Sequence, residues 1–168
     1  MLGRKRKAGV TVRIPGFGDR HIQTLLADYD GTLCCHGEIA QSIKERLERL
    51  AEVIDIHILT ADRKAKGNEY FGRLPVKVHV LSEEDQDVQK RDYLIDFKTM
   101  NVVVLGNGNN DRLLLQAVKT GGGLCIAVQN GEGCAVDALI NSHLLAANPG
   151  EAMDLLLNPD TLAATLRY

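Results

Sequence analysis

The stretch Leu25-Leu26-Ala27-Asp28-Tyr29-Asp30-Gly31-Thr32-Leu33 constrains the chain more than any other. An apolar run climbs into two aspartates spaced i, i+2, and a Gly-Thr pair then breaks it. In extended backbone, residues i and i+2 point to the same side. A strand that ends here can present both carboxylates to the cleft above its carboxyl edge, where open α/β sheets bind ligands. Carboxylates held that close repel, so one takes up a proton or a cation stands between them. The stretch reads as a strand that delivers a reaction centre.

The remaining segments predict the sheet around it. Val10 to Ile14 alternates apolar and polar residues, Pro15 to Asp19 turns, and His21 to Ala27 is again strand-like, so residues 10–28 read as a hairpin whose second arm carries the aspartates. Glu38 to Val53 places Ile39, Ile43, Leu47, Leu50 and Val53 on one helical stripe. Ile54 to Leu59 is a strand running into Thr60-Ala61-Asp62, and a short helix over 63–73 stops at Leu74-Pro75. Val76 to Val80 alternates as a strand, and Ser82-Glu83-Glu84-Asp85 opens a helix reaching Phe97. Asn101 to Leu105 is almost wholly apolar, as a parallel strand covered on both faces must be. It ends in Gly106-Asn107-Gly108-Asn109-Asn110-Asp111, followed by a helix from Arg112 to Lys119 and a strand from Leu124 to Val128. A helix around 132–141, a strand near His143 to Ala147, and helical pieces at 150–157 and 160–166 complete the chain. Strands alternating with helices through right-handed crossovers predict an α/β fold: a three-layer, doubly wound parallel sheet with an N-terminal β-hairpin.

At 168 residues the chain suits one domain, read as 9–168 behind a basic tail over 1–8 that contains Arg4-Lys5-Arg6-Lys7. A net charge of −2 selects neither nucleic acid nor an acidic membrane as partner. No apolar run approaches the roughly 20 residues that cross a bilayer, so a cytoplasmic protein is expected. Cys34-Cys35, Cys125 and Cys134 have no metal-binding spacing and read as reduced thiols, one of the first pair lining the site entrance. His36, His57 and His79 share no ligand spacing either.

In a parallel sheet, the ends at Asp28-Tyr29-Asp30, Thr60-Ala61-Asp62 and Gly106 to Asp111 lie along one edge. Asp28-Tyr29-Asp30-Gly31-Thr32-Leu33 resembles the first motif, D-x-D-G-T-L, of the haloacid dehalogenase-like (HAD) phosphotransferases. Thr60 after its apolar strand is similar to their second motif, and Gly106 to Asp111 to their fourth. The third is a single lysine, best matched by Lys90, less well by Arg91 or Lys98. The resemblance spans roughly residues 20–140. More loosely, the whole chain is similar to the small soluble P-type ATPase-like proteins.

The resemblance implies a Mg2+-dependent phosphatase working through an aspartyl phosphate. Asp28 would be the nucleophile and Asp30 the general acid and base. Thr60, Lys90, Gly31 and Ala61 would hold the phosphoryl group, and Asp28, Asp30, Asn107 and Asp111 would hold the metal, with Asn110 in support. The fourth motif usually opens with an aspartate where this chain has Asn107, which implies weaker magnesium binding.

Neither Cys34 to Glu38 nor the stretch from Thr60 to Lys90 can contain a folded cap domain. The cleft should be open. The expected substrate is a phosphorylated small molecule or, given the open cleft, a phosphoprotein; a second copy of the chain could instead cover the site as a homo-oligomer. Two other readings stay open: a phosphate-sensing module with little turnover, and a soluble partner of a transport or phosphorelay system.

Overall fold

A computed structural model describes residues 7–61, 71, 73, 74 and 76–168. Strands β1 (Val10–Val12) and β2 (Arg20–Ile22) pair antiparallel with Thr11 opposite His21. Gln23 alone separates β2 from β3 (Thr24–Asp28). The expected hairpin arm thus runs into the aspartate strand but changes sheets on the way. Strands β4 (Asp55–Thr60), β5 (Val76–Val80), β6 (Val102–Gly106), β7 (Leu124–Val128) and β8 (Leu144–Ala146) join β3 in a second, wholly parallel sheet of order β5-β4-β3-β6-β7-β8. Building starts at β3, moves outward through β4 and β5, then resumes on the other side with β6. This reversal beside β3 is the switch point where such sheets open a crevice.

Every residue of β3, β6 and β7 is buried, as strands covered on both faces require. The edge strands are blunted: β5 alternates half-buried and exposed residues, and β8 has three residues. The helices are α1 (Gln41–Val53), α2 (Gln86–Asp92), α3 (Arg112–Thr120), α4 (Val136–Ile140), α5 (Pro149–Leu157) and α6 (Pro159–Leu166). Successive strand residues feed opposite cores. Leu25, Ala27, Ile58 and Leu105 pack with Leu47 and Leu50 of α1 and Met153 and Leu156 of α5. Leu26, Leu59 and Val104 pack instead with Leu114, Leu115 and Val118 of α3. Arg46 adds a bidentate pair to Asp154, 2.8 Å at each nitrogen, which ties α1 to α5.

Three helix starts differ from the sequence expectation, each for a backbone reason. Helix α1 begins at Gln41 rather than Glu38, because the Cys35 and Glu38 backbones pair at 3.1 Å in both directions. His36 and Gly37 between them have φ of 53° and 80°, the two positive values a type I′ turn demands. Helix α2 starts after Asp85, whose φ is 50°, and passes into 3-10 turns at Tyr93–Asp96 and Thr99–Asn101. Helix α4 waits until Val136, because Gly131 and Gly133 hold φ of 77° and 88°. Lys7, assigned to the tail, is anchored: its Nζ donates to the Ile54 carbonyl at 2.7 Å and pairs with Asp55 at 3.1 Å. Residues 1–6, Asp62, Pro75 and most of the expected 63–73 helix lie outside the described residues. Among the described residues, no helix is long and apolar enough to cross a membrane.

Candidate active site

Register does the first part of the assembly. Asp28 ends β3 opposite Leu59 of β4, one residue before Thr60, and Ala27 lies opposite Leu105 of β6, one residue before Gly106. Three segments distant in sequence therefore end side by side at one sheet edge. The Gly106 backbone must pass close to Asp111: a Cβ there would stand 2.8 Å from the Asp111 carboxylate. This close approach excludes any larger residue.

Helix α2 contributes the cation. Lys90 Nζ donates to Asp28 Oδ1 at 2.6 Å and to Asp111 Oδ1 at 2.7 Å. Lys90 is 1% exposed and Asp111 0% exposed, so this triad is shielded from water. Arg91 and Lys98, the other basic candidates, are exposed, and Arg91 pairs with its neighbour Asp92. The second oxygen of Asp111 accepts the amides of Asn107 and Gly108, each at 3.0 Å. Asp111 therefore caps the Asn109–Asp111 turn and holds Lys90 with one carboxylate. With both its oxygens engaged this way, it stands behind the lysine.

Burial, followed by the charge of Asp111, pushes the Asp28 carboxyl up to about 7, against the pull of the Lys90 ammonium. The like charge that matters is thus Asp111, not Asp30. For Lys90, burial opposes the ammonium, but Asp111 and Asp28 outweigh it and hold the pKa above the ordinary value.

Asp30 lies beyond the strand and is exposed. Its Oδ2 accepts the Thr60 hydroxyl at 3.2 Å, and its Oδ1 accepts the Cys34 thiol at 3.7 Å. Thr60 is buried beside the half-buried Ala61. Gly31, at φ 74°, turns the chain where a Cβ would meet Asn107 Nδ2 at 2.7 Å. Asn110 donates from Nδ2 to Gln86 at 3.3 Å, and its Oδ1 lies against Gly108. Thr32 was absent from the expected site, yet it links two of its parts. Its hydroxyl stands 3.2 Å from Asp28 Oδ2 and 3.0 Å from Asn107 Oδ1, within donating distance of both. The Gly-Thr that breaks the strand was the available signal. Glu132, beside Gly31, had none.

Asp28 Oδ2, the Asn107 amide oxygen and the Asp30 backbone offer oxygen donors only, the chemistry that Mg2+ takes. With Asp28 ionised, two carboxylates face one ammonium, so a cation is also what the electrostatics lack. The donor set fits a hard divalent ion.

No family model matches the sequence. An uncharacterized protein of Methanocaldococcus jannaschii is 29% identical over 109 residues, which cover 65% of this chain and 99% of that protein. Among solved structures, the cobalt-bound deoxy-D-mannose-octulosonate 8-phosphate phosphatase of Haemophilus influenzae superposes with a TM-score of 0.64 at 13% identity, covering 88% of this chain and 94% of that one. The 3-deoxy-D-manno-octulosonate 8-phosphate phosphatase of Moraxella catarrhalis, solved with magnesium, phosphate and the sugar acid, gives 0.59 at 16%, covering 87% and 94%. A Legionella pneumophila protein assigned to the HAD superfamily, subfamily III A, gives 0.63 at 22%, covering 86% and 88%. The strand order, the three converging strand ends and these superpositions agree that the chain has the fold of the HAD-like hydrolases.

Proposed function

We propose that this protein is a divalent-metal-dependent phosphatase that hydrolyses a phosphate monoester through an aspartyl phosphate on Asp28. The observation that carries the reading is the buried Lys90 ammonium held between Asp28 and Asp111 at the switch point of the sheet. It keeps one Asp28 oxygen oriented and holds positive charge where phosphoryl oxygens would gather. Attack by Asp28 on phosphorus forms a new O–P bond and breaks the bond to the leaving oxygen, which takes a proton from Asp30. Asp30 then removes a proton from water, whose oxygen attacks phosphorus and releases inorganic phosphate and the Asp28 carboxylate. Mg2+ held by Asp28, the Asp30 backbone carbonyl and Asn107 would supply neutralisation of charge on the transferring group. Thr60, which donates to Asp30, would hold the general acid in place or turn its hydroxyl to a phosphoryl oxygen.

The named phosphatases among the structural neighbours support this reaction class and a divalent metal. The loop from Tyr29 to Ala40 carries only two short turns, over 29–34 and 35–38, which supports an open cleft. The test is magnesium-dependent release of phosphate from p-nitrophenyl phosphate, with loss of at least about 1000-fold in Asp28→Asn, the scale on which catalytic machinery matters. Unaltered turnover in that variant would reject the mechanism. One observation favours a phosphate-sensing module instead: Asn107 brings no charge to the metal and has its amide oxygen within reach of the Thr32 hydroxyl. Tight binding of beryllofluoride without turnover of any phosphate ester would select that reading.

A further inference from the structure

A second cluster of ligating side chains lies at the rim of the cleft, and the proposed phosphatase reaction does not use it. Cys35 and His36 come from the tight turn after β3, and Glu132 from the glycine-rich loop after β7, 96 residues further on. Their Sγ, ring nitrogen and carboxylate oxygen all lie within 4.8 Å of one another. Cys35 is half-buried, and the other two are exposed.

The two loops are already tied. The His36 amide donates to Glu132 Oε1 at 3.0 Å, and Asn130 Nδ2 donates to the Thr32 carbonyl at 3.2 Å. The Cys35 thiol lies against Gly131, where a Cβ would stand 3.2 Å from the sulfur. Glu132 Oε2 also approaches Gly31, within 3.0 Å of where its Cβ would be. One backbone tie therefore holds the carboxylate beside the histidine, and the glycine turn leaves room for the thiol.

A thiolate, an imidazole and a carboxylate form a mixed, partly soft donor set that suits zinc and not magnesium. In a tetrahedral zinc site, bonds of about 2.0–2.3 Å place ligand atoms about 3.5 Å apart. The present spread of up to 4.8 Å is about 1.3 Å wider (4.8 − 3.5), so the three side chains must draw together on the ion. We infer that Cys35, His36 and Glu132 bind one thiophilic divalent cation, Zn2+ by chemistry, which clasps the Gly31–Glu38 loop to the loop over 129–135 at the cleft rim. Three protein ligands leave a fourth position for water or a substrate oxygen. Binding displaces the Cys35 thiol proton to solvent as the S–Zn bond forms.

The test uses the full chain in excess magnesium, titrated with Zn2+ against a chromophoric chelator and separately with Co2+. One equivalent of zinc should bind, and cobalt should give a thiolate-to-metal charge-transfer band. Oxygen donors around Asp28 cannot produce that band, so failure of the phosphatase reading would leave this result intact. Cys35→Ser should abolish the band and weaken zinc by about 100-fold or more, since losing even an outer-shell partner costs about 10–100-fold. Glu132→Gln should weaken zinc and give a cobalt complex that keeps the thiolate band, and Cys134→Ser should leave zinc and magnesium binding unchanged. A cobalt complex without the band, or zinc affinity equal in Cys35→Ser and the parent, overturns the inference. Circular dichroism of each variant guards against loss of fold.

Discussion

Replacing Lys90 with methionine tests the buried triad directly. Methionine keeps an unbranched apolar stem in the same space and removes only the ammonium. Lys90 is 1% exposed, and both carboxylates it serves are buried, so no water replaces it. Breaking a buried ion pair by removing one partner costs about 3–5 kcal/mol. In a chain of this length each kcal/mol moves the midpoint by about 2–4 °C, so melting at pH 8 should fall by about 6–20 °C. The loss must depend on pH. Without the ammonium, Asp28 keeps burial and Asp111, which raise its pKa, and loses the Lys90 charge and hydrogen bond, which lower it. Its folded pKa therefore climbs beyond about 7 while the unfolded value stays near the ordinary carboxylate range. The folded variant binds the extra proton, so its stability falls as pH rises from about 4 through that value. Thermal melts of metal-free parent and variant at pH 5.5 and 8 should show the larger deficit at pH 8. The triple variant Asp28→Asn, Lys90→Met, Asp111→Asn should recover most of it, because replacing a whole buried network is often neutral. A variant that melts within 2 °C of the parent at pH 8, on that same scale, refutes the triad as a buried, mutually dependent unit.

Three further outcomes follow from the same geometry. In the metal-free parent, Asp28 holds a proton up to about 7, so its contribution to stability declines between pH 4 and 7. Magnesium must displace that proton, and its stabilising shift in thermal melts should be larger at pH 8 than at pH 5.5; equal shifts would remove Asp28 from the ligand set. Asn107→Asp adds a charge beside Thr32 and Asp28 and should tighten magnesium about tenfold by calorimetry, or about 1.4 kcal/mol, whereas an unchanged constant would remove Asn107 from that set. Burial pushes the Cys34 thiol up to about 11 and the Cys125 thiol up to about 12, so neither should react with iodoacetamide at pH 8 until urea is added; mass spectrometry reads the labelled sites.

Most of the sheet was legible because its strands satisfy simple periodic rules. Val76 to Val80 and Leu124 to Val128 begin and end where their patterns do. The helix starts were not, because they depend on single backbone angles at Asp85, Gly131 and Gly133, which leave no periodic trace. The candidate site divides in the same way. Asp28 and Thr60 end their strands, and Asp30 and Asp111 follow within a few residues of a strand end, where an apolar run changes abruptly to polar residues. Thr32 escaped because it looks like a strand breaker, and only its position between Asp28 and Asn107 gives it a further part.

The sequence by itself determined that short apolar runs must be parallel strands buried on both faces, and therefore that their polar carboxyl ends share one edge. Local patterning suffices for this, since burying a strand's two faces is a matter of which residues it contains. Only the tertiary structure decided which basic residue meets Asp28, that Asp111 stands behind that lysine with both its oxygens engaged, and that Glu132 reaches Cys35 and His36. Those pairings join residues 21 (Lys90 to Asp111) to 97 (Cys35 to Glu132, 132 − 35) positions apart. They are set by how helices and loops pack onto the finished sheet, and a helical lysine or a loop glutamate reads the same whether it ends in solvent or in a site.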